Sequence, residues 1–190
     1  LALGSLIAVG SGFDVLRRLQ SGSIFFVDST TAKKMRAEFQ VAKNGGERLK
    51  ILIVPGHDTD APGAAVRKVT ELGLNIEVGK RLEDLFGADR HFDVLLAQDS
   101  TGYDPVLWDY FREKETEILE FRRKKHLGMY SVQQTGFVEG NVGIEHNDAP
   151  ESSVTRLYGM NIWANENNVD LVIHIHFNDY PGRKHSAVGK

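Results

Sequence analysis

The sequence predicts an α/β fold, in which helices flank a mainly parallel sheet and a helical and loop insertion is added. From residue 49 onward, short apolar stretches that suit buried strands alternate with longer stretches whose apolar residues recur at helical spacing. Strands that alternate with helices favour a parallel sheet, because each helix returns the chain to the same end of the sheet. Three such strands are predicted, at 50–54, 92–98 and 169–177.

The first predicted strand, at 50–54, lies within the stretch LKILIVPGHDTDAPGA and ends at a Pro-Gly pair. Proline and glycine stop a strand and turn the chain. His57 is therefore expected just past a strand end, at the edge where a parallel sheet opens toward solvent. A loop is expected up to Thr70. The helix predicted over 71–86 then places apolar residues on one face, namely Leu74, Val78, Leu82 and Leu85.

The rest of the chain continues this alternation around a long insertion, residues 104–151. The predicted elements are a strand at 92–98, a charged helix at 104–126, a glycine-rich irregular stretch at 128–151, a helix at 153–167 and a strand at 169–177. Pro105 suits the first turn of the charged helix, and Gly128 is expected to end it. The insertion has two interpretations: a helix that simply packs on the sheet, or a lid that an activating partner protein controls.

Residues 1–48 are interpreted as an N-terminal arm, and residues 49–190 as the main domain. The opening stretch LALGSLIAVGSGF is apolar but too short to span a bilayer, which takes about 20 residues. It is either the outer end of a membrane anchor or signal segment, or a first strand or core-packing arm. The rest of the arm is predicted as a strand or extended segment at 23–29, a polar helix at 30–43 and a glycine-containing linker at 44–48.

The composition restricts the chemistry that is available to this chain. A net charge of −3 provides no electrostatic case for binding nucleic acid. Because the sequence contains no cysteine, it can form neither a disulfide nor a thiolate metal site. Any bound metal must therefore use histidine, aspartate or glutamate. The absence of cysteine fits an envelope or extracellular protein, and it excludes no compartment.

Three metal-binding side chains are expected at one edge of the sheet. His57 follows the first strand, Glu71 opens the next helix, and His176 lies near the end of the last strand. Two imidazoles and one carboxylate make the protein shell of a catalytic zinc ion, with the fourth position left for water. Each residue also has an ordinary structural interpretation. These are a hydrogen-bonded loop histidine, a glutamate that stabilises a helix start through the helix dipole, and a packed strand histidine.

Three stretches of the chain follow a known pattern: ILIVPGHDTDAPGA, ELGLNIEVGKRLEDLF and RLYGMNIWANENNVDLVIHIHFN. They are similar, in order, to a Pro-Gly-His turn, to a glutamate-started helix with an asparagine four residues on, and to an arginine-containing helix before a final His-x-Asn. From Lys50 to its end, the chain thus resembles the catalytic domain of the zinc-dependent N-acetylmuramoyl-L-alanine amidases, which hydrolyse peptidoglycan. The resemblance implies that His57, Glu71 and His176 are the zinc ligands.

The chain departs from the pattern of that family at two places near the expected ligands. Asp58 and Thr59 replace the Gly-Gly pair that usually follows the first histidine, which alters the loop but not the ligand. His174 replaces a common serine and is expected on the same face of its strand as His176. It either coordinates the metal, orients a ligand or a water molecule, or is a hydrogen-bonded sheet histidine.

The largest departure concerns the general base. The amidases use a second glutamate on a strand well after the final histidine, so this base is expected beyond Lys190, in a domain that is incomplete at its C-terminus. Glu145 or Glu151 would substitute for it only if the insertion folds over the zinc. The side chains of the insertion that are candidates for capping the open position of the metal are Glu139, Glu145, His146 and Asp148.

The resemblance implies zinc-dependent hydrolysis of the amide bond between N-acetylmuramic acid and the L-alanine of the stem peptide. Peptidoglycan would be the substrate, and the protein would act in the cell envelope or outside the cell, with or without a membrane anchor. Two alternatives stay open at this point. One is a zinc hydrolase of another peptide amide, and the other is a non-catalytic wall-binding or regulatory module with a relict zinc site.

Overall fold

A computed structural model of the chain describes residues 29–135 and 150–177. The chain divides into two compact units, Leu1–Gly46 and Glu47–Lys190. In the first unit, helix α1 (Ser29–Lys43) confirms the polar helix that was predicted from residue 30. The apolar opening stretch and the extended segment that was expected before Ser29 lie outside the described residues. Within the described ranges, none of the helices is both long and apolar enough to cross a membrane.

The described part of the second unit alternates strands with helices. In chain order its elements are β1 (Leu49–Pro55), β2 (Ala65–Val66), β3 (Val69–Thr70), α2 (Glu71–Gly87), β4 (Phe92–Leu96), β5 (Gln98–Asp99), β6 (Gly102–Tyr103), α3 (Pro105–Glu113), α4 (Glu115–Gln134), α5 (Glu151–Glu166) and β7 (Leu171–Ile175). The expected loop after β1 thus contains the short β2–β3 hairpin.

Three parallel strands form the main sheet, in the order β4-β1-β7. Ile53 in the central strand pairs with Leu96 in β4 and with Ile173 in β7. The carboxyl ends of all three strands therefore lie at the same edge of the sheet. The predicted α/β fold with a parallel sheet flanked by helices is confirmed.

The central strand β1 is buried on both faces, with Lys50 as its exposed residue. One face carries Leu52 and Val54, which pack against apolar side chains of α3, α4 and α5. The opposite face carries Ile51 and Ile53, which pack against α2. This arrangement explains why β1 is apolar apart from Lys50 near its start, since helices cover both faces of the strand.

The prediction of a single charged helix over 104–126 is wrong in two respects. It breaks at Lys114 (φ −106°, ψ 12°) into α3 and α4, and α4 continues to Gln134 instead of ending at Gly128. Glycine is tolerated inside a helix at a cost of about 1 kcal/mol relative to alanine, so it does not by itself end one. Burial of Leu107, Phe111 and Ile118 supports the simple packing interpretation of this part of the insertion. Residues 136–149 lie outside the described residues, so the lid interpretation stays untested.

Two helical glycines provide a test of this packing. A Cβ atom at Gly159 in α5 would lie 2.7 Å from Cδ1 of Phe111 and 3.0 Å from Cδ1 of Ile118, whereas a Cβ at Gly128 would meet no atom of the described side chains within 4 Å. We expect Gly159→Ala to lower the free energy of unfolding by about 1–3 kcal/mol, because the aromatic ring must move. Gly128→Ala should raise it by about 0.5–1 kcal/mol. Urea unfolding of both variants measures this, and equal effects would contradict the packing.

Candidate metal centre

The shared carboxyl edge of the sheet brings together the three residues that the sequence singled out. His57 follows β1, His176 follows β7 directly, and Glu71 is the first residue of α2. The Nε2 atom of His57 lies 3.0 Å from Oε1 of Glu71, and Nδ1 of His176 lies 3.7 Å from the same oxygen. One ligand atom from each of the three residues can be chosen such that all three lie within 4.8 Å of one another.

The backbone at His57 has an unusual conformation, with φ at +68°. A non-glycine residue in this left-handed region costs about 1–3 kcal/mol, so its surroundings must hold it there. The buried amide of Gln98 does so by donating from Nε2 to the carbonyls of Pro55 (2.7 Å) and His57 (2.5 Å). The buried Asn75 donates to the carbonyl of Gly56, which lies between them, at 3.0 Å. Three successive carbonyls are thus held by two buried amides.

The ring of His57 is oriented by a contact with its own loop. Its Nδ1 atom lies 3.1 Å from the carbonyl oxygen of Ala61. A carbonyl can only accept a hydrogen bond, so Nδ1 carries a proton, and Nε2 is the ring nitrogen that faces Glu71. This orientation makes Nε2 the nitrogen that would bind a metal.

The carboxylate of Glu71 is held by backbone donors on both of its oxygens. Oε1 accepts from the amide of Phe177 at 3.0 Å, and Oε2 accepts from the amide of Ala64 at 3.4 Å. The hydroxyl of Thr70 caps α2 by accepting from the amide of Gly73 at 3.1 Å. The helix start therefore positions the carboxylate at the sheet edge, in addition to gaining from the helix dipole.

Two glycines allow the histidine rings to lie close to the backbone. A Cβ atom at Gly56 would lie 2.5 Å from Nδ1 of His176 and closer still to Cε1. A Cβ atom at Gly63, where φ is +74°, would lie 2.7 Å from Nε2 of His57. The Pro-Gly turn and the later Gly-Ala pair thus have a steric role in addition to ending the strand.

The two histidines at the end of the chain differ in their surroundings. The side chain of His176 is 44% exposed, and burial together with the neighbouring His57 lowers its pKa, which Glu71 partly offsets. His174 is more buried, and its burial lowers its pKa, to which the neighbouring His176 adds. His174 is not in the cluster of three ligands. Its Nε2 atom is buried without a hydrogen-bond partner in the described ranges. This nitrogen therefore does not make the hydrogen bond that is expected of a histidine packed in a sheet.

The donor set fits a metal ion. Ligand atoms that surround a tetrahedral zinc at 2.0–2.1 Å are separated from one another by roughly 3.3–3.4 Å. The two distances to Oε1 of Glu71, 3.0 Å and 3.7 Å, lie on either side of this separation. The group formed by His57, Glu71 and His176 could therefore hold a metal ion.

Comparisons of the chain with protein-family models, with curated proteins and with solved structures found no match. The site is therefore supported by its geometry and by the residue pattern of the sequence. The residues that support the ligands were not predicted from that pattern. Asn75 enters the sequence pattern only through the resemblance. Nothing in the sequence marks Gln98, because an amide in a strand has no local feature that predicts hydrogen bonds to two distant carbonyls.

The candidates from the insertion do not reach the centre where the structure describes them. Glu151 begins α5 with its side chain 78% exposed, and it pairs with Arg122 at 2.9 Å. Glu145 lies outside the described residues, as do the other capping candidates, Glu139, His146 and Asp148. Glu151 is thus an ion-pair partner of α4 and does not belong to the cluster of three ligands.

The support from Gln98 can be measured. Gln98→Leu removes the donor to two carbonyls in or beside the core, and each unsatisfied group costs about 1–3 kcal/mol. We expect the variant to lose about 2–4 kcal/mol of unfolding free energy in a denaturant titration. The exposed Gln134 provides the control, since Gln134→Leu should change stability by less than about 0.5 kcal/mol. Similar losses in both variants would show that the Gln98 amide does not support the turn.

Proposed function

We propose that this chain is a zinc-dependent N-acetylmuramoyl-L-alanine amidase that acts on peptidoglycan in the cell envelope. The observation that carries the proposal is the convergence of His57, Glu71 and His176 at one sheet edge, at ligand spacing. Two imidazoles and a carboxylate are the protein ligands of hydrolytic zinc sites that keep one position open. The same three residues occupy the ligand positions in the resemblance to the amidases.

A bound zinc ion would supply an activated water molecule and polarisation of the scissile carbonyl. The residues of the chain then have the following roles. His57 is held in the Nδ1-protonated tautomer by Ala61, and Glu71 is oriented by backbone amides of Ala64 and Phe177. The partial exposure of His176, at 44%, leaves the site accessible to a substrate.

The proton of the attacking water must be passed to the leaving amine by a general base, which contributes about 10²–10⁴-fold to such reactions. Glu151 does not serve this role in the structure, because its carboxylate pairs with Arg122. The proposal therefore includes a glutamate outside the described residues as the base, as in the amidases that the sequence resembles.

The test is digestion of purified muropeptides by the zinc-loaded protein. We expect release of stem peptides that begin with L-alanine, and we expect Glu71→Gln to abolish this release. Cleavage at a different amide would instead identify another zinc hydrolase. Binding of peptidoglycan without any cleavage, by a protein that retains zinc, would identify a wall-binding module.

A further inference from the structure

A buried carboxylate lies directly beside His57. The side chain of Asp58 is 3% exposed and accepts several hydrogen bonds. Its donors are the backbone amides of Asp60 (3.0 Å) and Ala61 (3.0 Å), the hydroxyls of Ser153 (2.9 Å) and Tyr103 (3.2 Å), and Nη1 of Arg156 (2.8 Å). A charge this deeply buried is stable only if it is paired and hydrogen-bonded.

The partner of this carboxylate is Arg156 on α5. Its side chain is 14% exposed, and its second nitrogen, Nη2, pairs with Asp60 in the same loop. The guanidinium lies 5.6 Å from the ring centre of Tyr103 and 5.8 Å from that of Trp108. A planar guanidinium suits this combination of two carboxylates and two aromatic rings better than an ammonium group does.

The same loop also completes the start of α5. That helix has no side-chain cap of its own, because Pro150 occupies the cap position. The hydroxyls of Ser152 and Ser153, in its first turn, donate to Asp60 and Asp58. Two carboxylates near the positive end of the helix dipole are favourable there. The loop that contains His57 is thus tied to a helix whose other face lies in the core.

The contacts lead from Arg156 to the metal ligand His57 through two residues, Asp58 and Ala61. Asp58 accepts from the amide of Ala61 with its side chain (3.0 Å) and with its own carbonyl (3.2 Å). The carbonyl of Ala61 in turn accepts from Nδ1 of His57 at 3.1 Å. Asp58 therefore holds the group that sets the tautomer and direction of the His57 ring.

We propose that Asp58 and Arg156 are positioning residues, which lock the turn at 57–61 so that Nε2 of His57 points at the metal position. This inference rests on the proposed metal-dependent function. It gives a role to the aspartate that stands where the amidases have glycine. A glycine in that place has no side chain to make these contacts, so the Asp58 contacts that hold His57 are specific to this chain.

The first readout is metal affinity, measured as zinc competition against a chromophoric chelator. Arg156→Met leaves a buried carboxylate with neutral donors only, and we expect about 10–100-fold weaker zinc binding with the fold retained. Arg122→Met is the matched control, because Arg122 is similarly buried at 16% exposure and also pairs with a carboxylate, that of Glu151. Among the described residues it makes no hydrogen bond or ion pair with the loop of His57. Arg156→Lys should restore part of the affinity, because it keeps the positive charge. It should not restore all of it, because an ammonium group cannot reproduce the guanidinium contacts with both Asp58 and Asp60.

The second readout requires no metal. In the metal-free protein, nitrogen chemical shifts of the imidazole should show His57 protonated at Nδ1 in the wild type and in Arg122→Met. In Arg156→Met and Asp58→Asn the ring should populate both tautomers. Circular dichroism at the same temperature identifies any variant that is unfolded. If Arg156→Met is unfolded, Arg156→Lys is compared with the wild type in its place.

The outcomes separate this inference from the proposed function. If the wild type binds no zinc but the tautomer of His57 depends on Arg156, the metal-dependent function fails and the positioning role stands. If zinc binds and both the affinity and the tautomer are unchanged in folded Arg156→Met and Asp58→Asn, the positioning role is overturned while the function remains.

Discussion

Zinc affinity is expected to fall by more than about 100-fold in His57→Ala, Glu71→Gln and His176→Ala, each relative to the wild type. Each substitution removes one of the three donor atoms that converge at the sheet edge. Two remaining protein ligands hold zinc weakly, because the entropy of fixing the ion is then offset by fewer bonds. Competition against a chromophoric chelator, with metal content determined after dialysis, provides the measurement.

His91→Ala is the control for these variants, because His91 bonds to Asp89 in the turn before β4 and is not in the ligand cluster. It should leave the affinity unchanged. An equal affinity in wild type and His57→Ala would show that the ligands were assigned wrongly. If the wild type binds no metal while His57 is found doubly protonated beside Glu71, the 3.0 Å contact is an ordinary ion pair.

Gly56→Ala is expected to weaken zinc binding and to destabilise the fold together. The added Cβ atom would lie 2.5 Å from Nδ1 of His176, and the carbonyl of Gly56 is fixed by Asn75. The ring of His176 must therefore leave its position, or the end of β1 must shift against β7. We expect a loss of about 1–3 kcal/mol in unfolding free energy and a loss of zinc affinity of at least about 10-fold.

Gly87→Ala provides the matched control at the last residue of α2, where a Cβ atom would meet nothing within 4 Å. It should be neutral or stabilising by about 0.5–1 kcal/mol and should leave zinc affinity unchanged. Unfolding is followed in urea, and affinity is followed with the same chelator. Wild-type affinity in a folded Gly56→Ala variant would mean that His176 does not need its place over the glycine to bind the metal.

The parts of this protein that are predictable from its sequence are those with a local signal. The apolar run of β1, the helical spacing of α2 and the strand before His176 are patterns of neighbouring residues, and the structure contains each of them. Parallel strands place their carboxyl ends at one edge, so these elements also predicted that His57, Glu71 and His176 would meet.

The errors occurred where local signals compete with packing. Gly128 is a plausible helix end by sequence, yet α4 continues through it to Gln134. Lys114 carries no signal for a break, yet the chain bends there. Phe111 before the break and Ile118 after it both pack against Gly159 on α5, a contact between segments that are distant in sequence.

The sequence alone therefore determined the fold class, the order of the main elements and the three candidate ligands, because periodicity and turn residues act over a few neighbouring positions. The tertiary structure decided how those ligands are held. Gln98 meets carbonyls more than 40 residues away, and Arg156 meets Asp58 at a separation of 98 residues. A buried amide or charge meets its hydrogen-bond partners only when the chain has folded, because those partners lie far away in sequence. The orientation of His57 therefore depends on contacts that no short stretch of sequence contains.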